Sequence, residues 1–196
     1  MQKVWDSVHS TQQIFRKLVN AFSFPGSKLS ISNEVSGIEI KTLVSKPIIG
    51  LLLTILDSEV SFHISGEQLD LAVAEQQISQ LTGARNVQLE EANFCILLSS
   101  NSMVADWSSI PEGNLEEPHL GATIIIETEW ASREWEISGP GIQSSKKVDL
   151  GKQSDQWIPL RNEKNREFPL GVDVILVGKE GDIVALPRTT VIREVA

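Results

Sequence analysis

The run Val172 to Val177, Val-Asp-Val-Ile-Leu-Val, leads through the turn residues Gly178 to Asp182 into Ile183-Val-Ala-Leu-Pro-Arg-Thr-Thr190, and together they leave this chain little choice of fold. β-Branched residues favour extended backbone, and a Gly-containing turn between two such runs favours a hairpin. The first arm is apolar at nearly every position, so it belongs inside a sheet covered on both faces. Counting outward from a turn centred near Glu180 sets Asp173 opposite Pro187 or Arg188. A buried carboxylate needs a partner or a proton, and Arg188 is the partner that this register offers.

Earlier segments supply layers for that sheet. Ser10 and Gln13 make a capping-box pattern, and Ile14, Phe15, Leu18, Val19 and Phe22 recur at helical spacing, predicting an amphipathic helix from about Thr11 to Phe22. Its apolar stripe packs on the sheet or on a partner chain. Phe24-Pro25-Gly26 ends it, and Lys28 to Ser32 reads as a short strand. Pro47 suits a first helical turn, and Ile48 to Leu56 is apolar all round, as in a buried helix. Ser61 to Ser65 alternates as a strand. Ser65 with Gln68 predicts a second capped helix, which runs to a C-cap at Gly83.

Phe94 to Leu98 reads as a central strand, Ser102 as the cap of a short helix through Trp107, and Gly121 to Glu129 as another buried strand. Trp135-Glu-Ile137 alternates like the second arm of a hairpin with it. Gln143 to Gln153, rich in Ser and Lys, reads as a mobile surface loop. A brief helix follows around Trp157, Leu160, Arg161 and Lys164, with Pro159 tolerable in its first turn. Alternating elements in the first half and hairpins in the second predict an α/β fold, a mixed β-sheet with helices on both faces. The 196 residues are read as a single domain.

Charge bears on partners. The formal charge of −9 argues against non-specific nucleic-acid binding, which relies on a positive surface. Asp106 to Glu136 holds eight carboxylates against Arg133 alone, while Lys146 to Arg166 holds six cations against three acids. That imbalance is compatible with separate acidic and basic faces or with two solvated loops. The longest apolar run, Pro47 to Leu56, falls well short of the ~20 residues of a membrane helix. A polar N-terminus and the lone Cys95 point to the cytoplasm.

Chemistry-bearing motifs are sparse. Phosphate-binding glycine loops, His-Glu-x-x-His, Cys-x-x-Cys and Gly-x-Ser-x-Gly do not occur. His63 reads as a structural histidine in a strand, Cys95 as a buried inert thiol, and no residue set calls for a metal or cofactor. Two places remain. Gly139-Pro-Gly141 follows a strand and can either let backbone N–H groups approach an anion or simply make a tight turn. Arg188-Thr189-Thr190 offers a guanidinium fork and two hydroxyls that suit phosphate or phosphonate oxygens, unless Arg188 neutralises Asp173.

Phe168-Pro-Leu-Gly-Val-Asp173 with Ile183 to Thr190, Phe22-Ser-x-Pro-Gly26, Leu52-Leu-Thr-x-Leu56, Gly121-Ala-Thr123 and Ser138-Gly-Pro-Gly-Ile142 together resemble the PhnH family, the H subunit of the bacterial carbon-phosphorus lyase core complex. The likeness keeps its order along nearly the whole chain, and only pattern carries it from Glu75 to Glu117. It implies an accessory subunit in phosphonate breakdown. Such a subunit would work with the G, I and J subunits, and functionally with L, in forming ribose 1-methylphosphonate 5-triphosphate from ATP and methylphosphonate, and would be a homodimer when isolated. It also implies the fold of the major domain of pyridoxal-phosphate-dependent transferases without that cofactor. No lysine stands in a recognisable Schiff-base setting. Phe24 departs from the charged residue expected in its turn. The contrasting expectation is a stand-alone binder or enzyme that uses Arg188, Thr189, Thr190 and the Gly139–Gly141 turn for an anionic nucleotide or phosphonate.

Overall fold

The computed structural model describes residues 5–39, 44–66, 70–98, 106–131 and 133–195. In chain order they form α1 (Ser7–Ser23), β1 (Leu29–Ser30), α2 (Ser32–Val35), α3 (Lys46–Ile55), β2 (Ser61–Ser65), α4 (Leu71–Thr82), β3 (Arg85–Asn86), β4 (Phe94–Leu97), β5 (Thr123–Thr128), β6 (Glu134–Ser138), β7 (Lys146–Asp149), α5 (Ser154–Lys164), β8 (Asp173–Gly178), β9 (Asp182–Leu186) and β10 (Val191–Glu194). Seven strands make one mixed sheet, ordered β1-β9-β8-β5-β4-β2-β3. From β8 to β3 the pairings are parallel, whereas β9 pairs antiparallel with β8 and β1. Val174 faces Leu186 and Val177 faces Ile183, so the hairpin has the register counted from its turn.

Period-two side chains divide the interior into two cores. Ile64, Ile96, Ile125, Ile175 and Ile183 meet α1, α3 and α4 on one face. Leu97, Ile124, Ile126, Leu176 and Val184 meet Trp157 and Ile158 of α5 on the other, together with Trp135, Ile137 and Ile192 of a second sheet ordered β10-β6-β7. The mixed sheet therefore has helices on both faces, but α5 shares its face with three strands. α3 is buried along most of its length, from Pro47 to Leu52.

Local readings change in four places. Asp6, whose Oδ1 accepts from His9 N at 3.1 Å, caps α1, and Ser10 is buried inside the helix because the chain has already turned helical there. β6 does not return along β5; it pairs with β7 and β10, which moves Trp135 and Ile137 into the second sheet. The segment read as a loop contains β7, with Val148 and Leu150 turned inward while its lysines face water. Pro159 lies in the middle of α5 rather than its first turn. The helix survives the lost bond to the Asp155 carbonyl because Trp157, Ile158 and Arg161 are each 1% exposed.

Gln68 and Ser102 lie outside the described residues; α4 starts with Asp70 at its N-cap, and Trp107–Ser109 is a 3₁₀ turn. Gly83, at φ 79°, closes α4 as its left-handed cap. The acidic and basic stretches partly neutralise each other: Arg133 pairs with Asp155, Lys152 with Glu129 and Lys164 with Glu112. No helix among the described residues is long and apolar enough to cross a membrane.

Candidate functional site

Between β9 and β10 the chain leaves one sheet for the other, and Pro187 to Thr190 make that crossing. Arg188 anchors it at the amino end of β8. Its backbone N–H donates to Asp173 Oδ1 at 2.7 Å, its Nη2 to Asp173 Oδ2 at 2.8 Å, and its Nη1 to the Pro118 carbonyl at 2.7 Å. Longer contacts of 3.3 Å run from Nε to Asp173 Oδ2 and from Nη2 to the Gly121 carbonyl. The two side chains are 17% and 23% exposed, so the pair is mostly but not fully desolvated. Four of the five guanidinium N–H groups have acceptors among the described residues.

α5 holds the same crossing from the other side. Arg161 donates through Nη1 to the Thr190 carbonyl at 2.9 Å and through Nη2 to the Pro187 carbonyl at 2.7 Å. Asn162 donates to the Ile192 carbonyl at 3.0 Å, and Asn165 to those of Val172 at 3.0 Å and Arg188 at 3.2 Å. The spacing i, i+1, i+4 puts these three donors on adjoining stripes of one helix. Arg161 forms no ion pair among the described residues; burial pulls its pKa down to about 10, against the opposing pull of Asp173.

Arg161, Asn165, Arg166, Arg188, Thr190 and Arg193 line a cavity of about 420 Å³ beside the crossing, with Phe168 at its rim 77% exposed. Of the residues singled out in the sequence, Arg188, Thr189 and Thr190 all reach this cavity, whereas Gly139 and Gly141 do not line it. Gly139, at φ 135°, lies against the Thr189 carbonyl, and Gly141, at φ 81°, against Ser23 O and Pro25. Both backbone angles favour glycine for conformational reasons alone. Arg161 has a sequence signal of its own: Trp157-Ile158-x-x-Arg161 places a cation one turn beyond two large apolar residues on a buried face.

A second opening lies across the molecule. Ile14, Leu18 and Ala21 of α1 are buried, but Val8, Phe15 and Val19, on the neighbouring stripe, are 72%, 53% and 48% exposed. Phe15, Val19, Phe22, Ile55, Phe94 and Ile175 line an apolar groove of about 430 Å³ there.

His63 and Cys95 have structural settings. His63 Nδ1 lies 3.0 Å from the Val87 carbonyl. Burial pushes the Cys95 thiol up to about 12, although the charge of Lys164 pulls the other way. An aromatic disulfide reagent at mildly alkaline pH is expected to leave Cys95 untouched in the native chain and to titrate it in denaturing guanidinium. Rapid native labelling would contradict this assignment. Among the described residues, no three His, Cys, Asp or Glu side chains gather to hold a metal ion.

The family model described as "Bacterial phosphonate metabolism protein (PhnH)" matches residues 2–193. A protein of Stutzerimonas stutzeri named as a candidate C-P lyase subunit, HtxG, is 31% identical over 96% of this chain and 88% of its own. The alpha-D-ribose 1-methylphosphonate 5-triphosphate synthase subunit PhnH of Rhizobium meliloti strain 1021 is 24% identical over 94% of this chain and 91% of its own.

Proposed function

Because this chain belongs to the PhnH family of bacterial phosphonate-metabolism proteins, we propose that it is an accessory subunit of a carbon-phosphorus lyase complex. In this reading it supports the conversion of ATP and methylphosphonate into ribose 1-methylphosphonate 5-triphosphate, while a sibling subunit carries the chemistry. The chain acts as one domain in the cytoplasm, with G, I and J as its assembly partners and L as a functional one. Its sheet corresponds to the major domain of pyridoxal-phosphate-dependent transferases, used here without the cofactor. The names of the two relatives support the complex and its product.

The observation that carries the subunit reading is the uncovered stripe of α1. The helix has a wider apolar face than its own core uses, and Val8, Phe15 and Val19 stand in water beside an apolar groove. Soluble chains rarely leave such a continuous patch exposed unless something covers it. In the complex we assign that cover to a sibling subunit, and in the isolated chain to a second copy.

Co-expression with the G, I and J subunits from the same genome, followed by sizing of what a tag on this chain retains, tests the reading. One large species containing all four is expected. The double variant Phe15→Glu/Val19→Glu, altered where the native fold is open to water, is expected to stay folded and be recovered in that species at about one tenth of the level or less. A wild-type chain that emerges alone would overturn the subunit reading, whereas an intact complex with the double variant would move the seam elsewhere.

A further inference from the structure

The arginine-lined cavity beside the β9–β10 crossing has more positive charge than its structural duties require. Binding carbonyl oxygens needs only neutral donors, as Asn162 and Asn165 show on the same helix. Arg161 adds a full charge at 1% exposure, with backbone carbonyls and the Asn162 amide oxygen as its acceptors. A buried cation without a counter-charge is costly. Its own Nε and the hydroxyl of Thr190, itself 2% exposed, find no hydrogen-bond partner among the described residues. Asp173, the carboxylate whose field reaches Arg161, is already engaged by Arg188.

The rest of the wall has the same sign. Arg166, Arg188 and Arg193 join Arg161, and no carboxylate side chain is among the lining residues. Arg188 is neutralised by Asp173, and Arg166 comes within 3.9 Å of the exposed Glu167. Arg161 and Arg193 form no ion pair among the described residues, which makes this recess a selective place in a chain of net charge −9. The adjoining cavity of about 490 Å³ shares Arg166 but mixes it with Lys164, Glu112, Glu163 and Glu167, so its charges offset one another. We infer that the arginine cavity is a binding site for a small organic oxyanion of the phosphonate or phosphate-ester class. Arg161 and Thr190 form its floor, Arg166 and Arg193 its mobile grips, and Phe168 the apolar rim for the organic part.

A volume of about 420 Å³ falls in the range of small-molecule sites. Arg166 and Arg193 are exposed; Arg193 forms no ion pair among the described residues, and Arg166 has only the long, solvent-exposed contact with Glu167 at 3.9 Å, so both can close on a ligand without disturbing the fold. Every residue of this site belongs to the one chain, so the isolated protein carries it whole.

Isothermal titration of the purified chain with inorganic phosphate, and separately with methylphosphonate, at fixed ionic strength reads the site directly. Saturable binding is expected, weakened about tenfold by Arg193→Ala or by Arg166→Ala, with the melting temperature of each ligand-free variant unchanged. Thr190→Val, which keeps the side-chain shape, tests the floor and is expected to weaken binding to a lesser degree. Lack of saturation by the wild type up to tens of millimolar, or affinities indifferent to both arginine variants, would overturn the site. Should the wild type take neither anion while Arg193→Ala abolishes co-purification with the sibling subunits, the arginines grip a partner's acidic side chain and the small-molecule proposal falls.

Discussion

Arg188→Ala is expected to cost roughly 3 kcal/mol of folding stability, or a fall in Tm of roughly 10 °C for a chain of this size. The substitution removes the donors to Asp173, Pro118 and Gly121 together. Asp173 is left with the backbone N–H of residue 188 as its surviving neighbour from that group. Breaking a fully buried pair typically costs about 3–5 kcal/mol, and the partial exposure of both side chains moves this one to the low end. Arg188→Lys is expected to recover little, because a single ammonium cannot reach the carboxylate and two carbonyls at once. Adding Asp173→Asn to Arg188→Ala should restore part of the loss by removing the orphaned charge. Matching urea midpoints for wild type and Arg188→Ala would refute the clamp.

Gly121→Ala is expected to be comparably damaging, at about 3 kcal/mol, although it adds a single methyl group. A Cβ there would collide with the Gly171 carbonyl, stand 2.8 Å from Arg188 Nη1 and 3.1 Å from the Glu112 carbonyl. Gly171 N already donates to that Glu112 carbonyl at 2.9 Å, so little of the neighbourhood can yield. Two of the three obstacles are backbone atoms. Since the third is Arg188 itself, the effects of Gly121→Ala and Arg188→Ala should sum to less than their separate values. Full additivity in chemical denaturation would show that the two residues do not share one structural unit.

Residues that speak through a short period were legible in the sequence. The β8–β9 hairpin, the buried α3 and the end of α4 at Gly83 all follow from local patterns that tertiary structure reinforces. β7 was hidden because this short strand turns Val148 inward, with Leu150 just beyond its end, while its two lysines and the serines before it look like a loop. The partner of β6 could not be read, since adjacency in sequence favours β5, yet β5 has both neighbours filled by β4 and β8. Pro159 misleads for a similar reason: local propensity counts the lost hydrogen bond but not the burial of Trp157 and Ile158 around it. At the site, Arg188 and Asp173 could be matched by counting from a turn. The helical spacing from Trp157 and Ile158 could place Arg161 on a buried face, but not identify its acceptors, because the carbonyls it holds lie in a segment that no local rule connects to α5.

The strand order also sets a timetable for folding. Leu29 pairs with Ile183, and Val191 pairs with Ser138, so both sheets are completed by residues made late in translation. A nascent chain can assemble α1, α3 and the β2–β4 pair early, but one border of the large sheet stays open until β8 and β9 have left the ribosome. Such long-range closure puts refolding in the range of about milliseconds to seconds and leaves unpaired strand edges in the interim. Low expression temperature or chaperone supply should therefore influence the yield of this chain more strongly than its native stability would suggest.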